Sequence, residues 1–418
     1  MTAVTLEIER LGQRGEGVAK VSGRTVFVPF ALKGERVRAE IEGERGRLLE
    51  ILSPSPDRIA PVCEHYSVCG GCAVQTLSPS AYAVWKRGLV ANALANAGIA
   101  AEVAPVVDAH GAGRRRVVFH ARDGAVGFME ARAHKIVEID ACPLLESGLS
   151  SALEAARALA QALKNTGKPL DIAVTAAAEG LDIDLRGCGA LAEKEARALV
   201  ELAERLDLAR LSNHRRILAL RRQPTIAVGR ATLSPPPGGF LQATAQGEET
   251  IASLALQGVG KAKRVADLFC GAGAFALRLC ESARVDAFDE NAEAIAALEE
   301  AARTLTGAKP LETHRRNLFD NPLRADELAV FDAVVFDPPR VGAAAQAAEI
   351  ARSNLPLAVA VSCNAQSFAR DARLMIDGGF TLERVTPIDQ FRYAAHVELV
   401  AVFRRATSKR RKASLLSR

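Results

Sequence analysis

Three groups of residues in this 418-residue chain have types and spacings that could do chemistry. The first is Cys363, in the run Ser362-Cys363-Asn364 directly after the apolar stretch 357–361, with Glu398 after His396-Val397 further on. A lone cysteine reads most simply as an inert core thiol, because free cysteine is among the most buried residue types. At the C-terminal edge of a strand in an open α/β sheet, where such folds bind ligands, it reads as a nucleophile instead. If the glycine-rich turn at Gly271 and Gly273 holds a methyl donor beside them, a thiolate and a carboxylate on separate strand ends suit one reaction. Carbon 5 of uracil is too weak a nucleophile to attack a sulfonium methyl directly. Addition of a thiolate at carbon 6 builds enolate density at carbon 5, which takes the methyl. A base then removes the carbon 5 proton and the thiolate leaves. Cys363 is the candidate nucleophile and Glu398 the candidate base.

The second group is the string Asp267-Leu268-Phe269-Cys270-Gly271-Ala272-Gly273-Ala274-Phe275. It reads as a strand end, a glycine-rich turn and a helix start, and Gly271 and Gly273 would let the backbone approach a ligand closely. Asp289, twenty-two residues past Asp267, ends the next apolar run and could accept ribose hydroxyls. The third glycine of a dinucleotide fingerprint is replaced by Ala276, which argues against a nicotinamide; the string with its downstream acid resembles that of class I S-adenosylmethionine methyltransferases instead. Asp337-Pro338-Pro339-Arg340 ends a further run. Enzymes that methylate adenine amino groups follow the related motif with an aromatic that stacks on the base, so Arg340 argues against that reaction.

The third group is the cysteines. Of eight, Cys63, Cys69 and Cys72 form C-x5-C-x2-C, and Cys142 precedes Pro143. A cytosolic chain makes structural disulfides unexpected. Three close thiols and a remote one before proline suggest a four-thiolate site, and the spacing leaves zinc and iron–sulfur both open. Cys188, Cys270 and Cys280 carry no assigned ligand role; Cys270 is expected to pack beside the donor loop and the others in the core.

Elements must position these groups. Half-apolar composition (49% hydrophobic, 25% charged) predicts a globular protein of several domains. No signal peptide and no membrane span is readable, which predicts a cytoplasmic protein. Seven basic side chains lie from Arg404 onward, more than the whole-chain excess of +5, so the remainder is slightly acidic. Attraction to a polyanion would rest on that tail and on clusters such as Arg114-Arg115-Arg116. Short alternating runs at 4–8, 18–21, 25–28, 36–41 and 47–51, separated by glycines, predict a small OB-type barrel. A mixed region follows, with helices over 80–97, 149–163 and 190–206 and a hairpin over 116–129. After the breaker Pro235-Pro236-Pro237, strands at 264–269, 284–288, 331–336 and 358–362 alternate with helices at 274–280 and 292–305, the rhythm of a doubly wound sheet. The expected division is 1–56, 57–235, 236–406 and a basic tail at 407–418.

The strings FLQAT (240–244), DLFCGAGAF (267–275), FDPPR (336–340), VSCNAQSFARD (361–371) and DQFRYAAHVE (389–398) together resemble the uracil-C5 RNA methyltransferase family. The resemblance implies a Rossmann-like class I methyltransferase domain using S-adenosylmethionine. Gln242, Phe269, Asp289, Asn317 and Asp337 would line the donor site, and Phe240 would stack on the uracil. Three residues depart from the family's pattern: Thr244, Arg392 and Ala394. One branch carries a four-cysteine [4Fe-4S] cluster at this spacing and an N-terminal TRAM barrel, which residues 3–54 resemble; that branch acts on 23S ribosomal RNA. The resemblance implies that Cys63, Cys69, Cys72 and Cys142 hold the cluster, and the chain is expected to act as a monomer. The alternatives are the same chemistry on a transfer RNA uridine and a non-catalytic RNA-binding protein.

Overall fold

The computed structural model describes residues 2–405 apart from 132 and 134; the basic tail at 407–418 lies outside the described residues. The first unit is a six-stranded curled sheet in the order Thr2–Glu7, Arg36–Glu42, Arg45–Ser53, Arg24–Val28, Gly17–Val21, Arg10–Leu11. The first and last of these are consecutive in the chain. The segment 2–11 therefore pairs with Arg36–Glu42 at one end and with Gly17–Val21 at the other, closing the sheet on itself. Alternation along the strands turns Leu6, Ile8, Val26, Val28, Val37 and Ala39 into the barrel. Glu35 is fully buried at its rim, where it accepts the Leu32 N–H at 2.8 Å and pairs with Arg58 of the linker.

The central unit is a seven-stranded sheet in the order Ile136–Glu138, Ala125–Met129, Arg116–Arg122, Leu170–Ala177, Gly180–Arg186, Arg210–Asn213, Arg216–Leu220. Helices Ala152–Ala162 and Glu193–Arg205 bury Leu159, Leu199 and Leu202 in one core with Phe119, Ile172 and Ile183. Only one neighbouring pair, Gly180–Arg186 with Arg210–Asn213, is parallel, and helix Glu193–Arg205 makes that crossover.

The third unit is an eight-stranded sheet in the order Leu311–Arg315, Arg284–Asp289, Arg264–Leu268, Ala333–Phe336, Leu357–Ser362, Glu398–Arg405, Phe380–Asp389, Val107–Asp108. The first five strands run parallel, and their inner members are mostly apolar and buried, with Asp267 and Asp286 as buried exceptions. This is a Rossmann-like class I methyltransferase architecture with an OB-type barrel before it and a mixed α+β unit between. Several elements differ from expectation, among them these two. The helix expected over 274–280 is a single turn, Ala276–Leu279, because positive φ at Phe269, Gly271 and Gly273 spends the preceding residues on a turn. The strand Phe380–Asp389 was not expected; only its tertiary partners on both sides make it one.

Residues from the mixed region also build the third unit. Val107–Asp108 supplies its edge strand, and helix Pro79–Asn96 lies against helix Ala365–Asp377. Trp85, Leu89, Val90 and Leu94 share a core with Phe368, Met375 and Phe403. Trp85 also reaches the barrel, donating its indole N–H to the Gly12 carbonyl at 3.0 Å. Among the described residues no helix is long and apolar enough to cross a membrane.

Trp85 is the chain's single tryptophan and joins two units. Trp85→Phe leaves the Gly12 carbonyl without that donor and a small void, and is expected to cost about 1–2 kcal/mol. Denaturant unfolding followed by far-ultraviolet circular dichroism measures it; an unchanged midpoint would mean that the link carries no stability.

Candidate active site

Parallel strands end together, so residues just past their C-termini gather on one edge. Phe269 follows Arg264–Leu268, Asp289 closes Arg284–Asp289, Asp337 follows Ala333–Phe336 and Cys363 follows Leu357–Ser362. The strand Glu398–Arg405 runs the other way, so its first residue lies on the same edge. Ser362 is paired with Leu399, and Ile388 with Glu398. Register alone thus sets Glu398 one strand from Cys363.

Hydrogen bonds fix the side chains. Gln390 donates through Nε2 to Glu398 Oε1 at 3.2 Å and to Gln242 Oε1 at 2.7 Å, while its Oε1 accepts the Ala243 N–H at 2.9 Å. Gln242 Nε2 in turn lies 3.5 Å from Asp337 Oδ2, a long contact. Arg115 of the central unit donates to the Gln242 carbonyl at 3.1 Å and pairs with buried Glu248, which also takes Arg278. Asn364 caps helix Ala365–Asp377 through the Gln366 and Ser367 N–H groups. Its Nδ2 and the Ser367 hydroxyl both donate to the Arg340 carbonyl, at 3.1 and 3.0 Å.

Burial dominates the electrostatics. Glu398 and Asp337 are both enclosed, and burial together with their mutual repulsion holds Glu398 above the usual carboxylate range; burial does the same to Asp337. Cys363 is pushed up to about 11 by burial first, then by Glu398 and Asp337, with Arg340 opposing. Arg340 is thus the cation that favours both the thiolate and the Glu398 carboxylate. It also donates to the His396 ring at 2.6 Å, and burial with the surrounding cations pushes His396 down to about 4, leaving a neutral ring that can accept. Phe240 is 76% exposed, a free ring at the entrance to FLQAT rather than a core residue.

The glycine turn forms a cradle. Gly271 donates its N–H to Asp289 Oδ2 at 2.9 Å and has φ +53°, with no atom within 4 Å of where a Cβ would stand. Gly273 sits against helix Ala292–Arg303, where a Cβ would lie 2.3 Å from Leu298 Cδ1. Phe269, itself at φ +61°, meets Phe319 at 5.3 Å between ring centroids. Asn317 shapes the neighbouring turn, accepting the Phe319 N–H at 2.9 Å and donating to Asp320 at 2.8 Å. Backbone amide, carboxylate and aromatic wall form a donor set suited to an adenosine-bearing ligand.

The four motif cysteines lie within electrostatic reach of one another. Cys142 is within electrostatic reach of Cys63, Cys69 and Cys72, and burial raises Cys69 and Cys142 and brings Cys72 to about 11. Backbone bonds from Gly70 to the Met129 carbonyl and from Ala131 to the Val68 carbonyl fasten the cysteine loop to the hairpin. Cys188, Cys270 and Cys280 are buried. Two of the three family departures have local partners. Thr244 caps helix Ala245–Val259 and donates to the Ala109 carbonyl at 2.7 Å, and Arg392 pairs with Asp108. Sequence reasoning gave no role to Gln390, although it lies inside a quoted string, and it placed Arg115 in a polyanion-attracting cluster, whereas the structure buries that guanidinium against Glu248 and the Gln242 carbonyl. It also missed Asp286, Glu312 and His314, whose donor atoms lie within 4.8 Å of one another; Arg264 and Arg284 already pair with the two carboxylates.

The TRAM domain profile matches residues 2–49, and the profile described as the methyltransferase small domain matches 248–360. An uncharacterized RNA methyltransferase of Brucella suis biovar 1 is 44% identical over 401 residues, covering 95% of this chain and 97% of that protein. The 23S rRNA (uracil(1939)-C(5))-methyltransferase RlmD of Aeromonas salmonicida is 30% identical over 432 residues, covering 96% of each. The structure of the Pyrococcus abyssi tRNA (uracil-54, C5)-methyltransferase with S-adenosyl-L-homocysteine superposes with a TM-score of 0.73 over 96% of this chain and 99% of that one, at 21% identity, a likeness of fold. With relatives this similar over nearly its whole length, the chain belongs to the RNA methyltransferase family and is an enzyme that joins a TRAM domain to an S-adenosylmethionine-dependent methyltransferase domain.

Proposed function

We propose that the enzyme methylates carbon 5 of a uridine in 23S ribosomal RNA, with Cys363 as nucleophile and Glu398 as base. The observation that carries this reading is the register that sets Glu398 against the strand ending at Cys363, with Arg340 acting on both. The Cys363 sulfur bonds to carbon 6 of a uracil swung out of its stack, against which the exposed Phe240 ring would lie. S-adenosylmethionine supplies the methyl from its sulfonium to carbon 5. The Glu398 carboxylate removes the carbon 5 proton; the carbon 6–sulfur bond then breaks, the double bond returns and Cys363 leaves as thiolate. Gln390 orients Glu398, and Arg340 stabilises the thiolate that enters and leaves. Gln242, Phe269, Gly271, Gly273, Asp289, Asn317 and Asp337 would hold the donor. The assignment to 23S ribosomal RNA is supported by the TRAM domain, the cysteine group and the kinship with RlmD.

Cys63, Cys69, Cys72 and Cys142 would hold a [4Fe-4S] cluster. Four soft, partly buried thiols within electrostatic reach of one another, with Arg114 favouring the thiolates of Cys72 and Cys142, fit such a group. Methyl transfer to a nucleophilic carbon moves no net electron, so the cluster's part is structural and no step passes through it.

Cys363→Ala should abolish methylation while donor affinity stays within a few-fold. Glu398→Gln should transfer methyl and stall as a denaturant-stable protein–RNA adduct; loss of activity without an adduct would mean that another group accepts the proton. Nucleoside mass spectrometry of ribosomal and transfer RNA from a deletion strain checks the substrate, since loss of 5-methyluridine from transfer RNA alone would overturn the ribosomal assignment. Gly273→Ala combines an unfavourable φ with the Leu298 clash, a strain of about 1–3 kcal/mol, and should weaken S-adenosylmethionine binding about ten-fold or more in calorimetry. Unchanged affinity would remove this turn from the donor site. Anaerobically purified protein should contain about four irons per chain and a broad visible absorption. One zinc and no visible band would replace the cluster with a zinc site.

A further inference from the structure

The base-bearing strand is reached through the stretch 389–397, and one buried side chain from far away in the sequence holds both ends of it. Lys86, on helix Pro79–Asn96, has no exposed side-chain surface. Its ammonium has three hydrogens and finds three acceptors: Asp389 Oδ1 at 2.8 Å, the Phe391 carbonyl at 3.1 Å and the His396 carbonyl. Tyr82 lies four residues earlier, on the same helix face. Its hydroxyl donates to Asp389 Oδ2 at 2.6 Å and accepts the Tyr393 N–H at 2.9 Å. The Tyr393 carbonyl accepts the Ala73 N–H at 2.7 Å and the Val74 N–H at 3.2 Å, so the middle of the stretch is tied to the residues just past Cys72. Tyr393 stands at φ +63°, a conformation that a residue with a β-carbon keeps only where its surroundings impose it.

A buried ion pair is a poor source of stability, since well-packed apolar residues commonly do as well or better. What this pair does specify is geometry. Asp389 is followed by Gln390, which donates to Glu398, and the His396 carbonyl stands two residues before Glu398. The same ammonium therefore holds the stretch on both sides of the carboxylate's supports. We propose that Lys86 and Tyr82 are positioning residues for Glu398, fixing the stretch 389–397 so that the carboxylate meets the carbon 5 proton of the Cys363 adduct. This rests on the reading of Glu398 as the proton acceptor.

The test uses full-length wild type, Lys86→Met, Tyr82→Phe and Glu398→Gln with RNA and S-adenosylmethionine. Lys86→Met should slow turnover about ten- to hundred-fold, the scale of a small misplacement of a reacting group. It should leave donor affinity within a few-fold and accumulate the denaturant-stable adduct that Glu398→Gln accumulates. Tyr82→Phe keeps the ring and the ion pair and should do the same more weakly; it carries the test if Lys86→Met does not fold. Amide hydrogen exchange should rise in 389–397 and stay unchanged in 264–289. Slower turnover without adduct, or unchanged exchange in 389–397, alongside an adduct in Glu398→Gln would overturn the proposal and leave the base assignment intact. No adduct in Glu398→Gln would overturn the base assignment, and the positioning role with it.

Discussion

The site depends on one constraint of sheet geometry. A strand inserted antiparallel into a parallel sheet begins where its neighbours end. Glu398–Arg405 does this between Leu357–Ser362 and Phe380–Asp389, so a residue at the start of one strand meets a residue just past the end of another. A one-residue slip in that register would turn Glu398 to the opposite face of the sheet. The burial of the strand from Glu398 to Phe403 makes such a slip prohibitive, because every residue of it is packed on both faces.

Burying that edge has an electrostatic consequence. Asp337, Glu398 and the Cys363 thiol share a poorly solvated space: burial makes each resist ionising, Asp337 adds to this at Glu398, and both carboxylates add to it at Cys363. Arg340 is the counterweight, and its backbone is held by Asn364 and Ser367 at the start of the helix after the thiol. The proposed nucleophile and base are therefore poised by one guanidinium. A cationic donor would relieve the same crowding, which fits a sulfonium better than a neutral ligand.

The accessory units are built into this site and do more than flank it. Arg115 leaves the central sheet to support Gln242 and enters a buried ion network with Glu248 and Arg278. Helix Pro79–Asn96 contacts the barrel through Trp85 and the catalytic sheet through Tyr82 and Lys86. The cysteine loop is bonded to Tyr393 through the residues that follow Cys72. A change in the cysteine region is thereby connected to the catalytic edge by a short chain of hydrogen bonds.

The sequence by itself determined what is local. Glycines and alternating apolar residues marked the barrel strands, and Gly271 and Gly273 marked a turn where the backbone could approach a ligand closely. Cys363, Asp337 and Asp289 were legible because each directly follows or closes an apolar run that had to be a buried strand. Glu398 was legible as a residue type, but its nearness to Cys363 required the antiparallel register, which no local pattern encodes. The strand Phe380–Asp389 carries Glu383 and Arg384 in its middle and becomes a strand through pairing on both sides. The short edge strand Val107–Asp108 exists only as its partner. Gln390, Arg115, Lys86 and Tyr82 gain their places from contacts spanning from eight to over three hundred residues. Such contacts are products of packing whole units together, and only the tertiary structure could decide them.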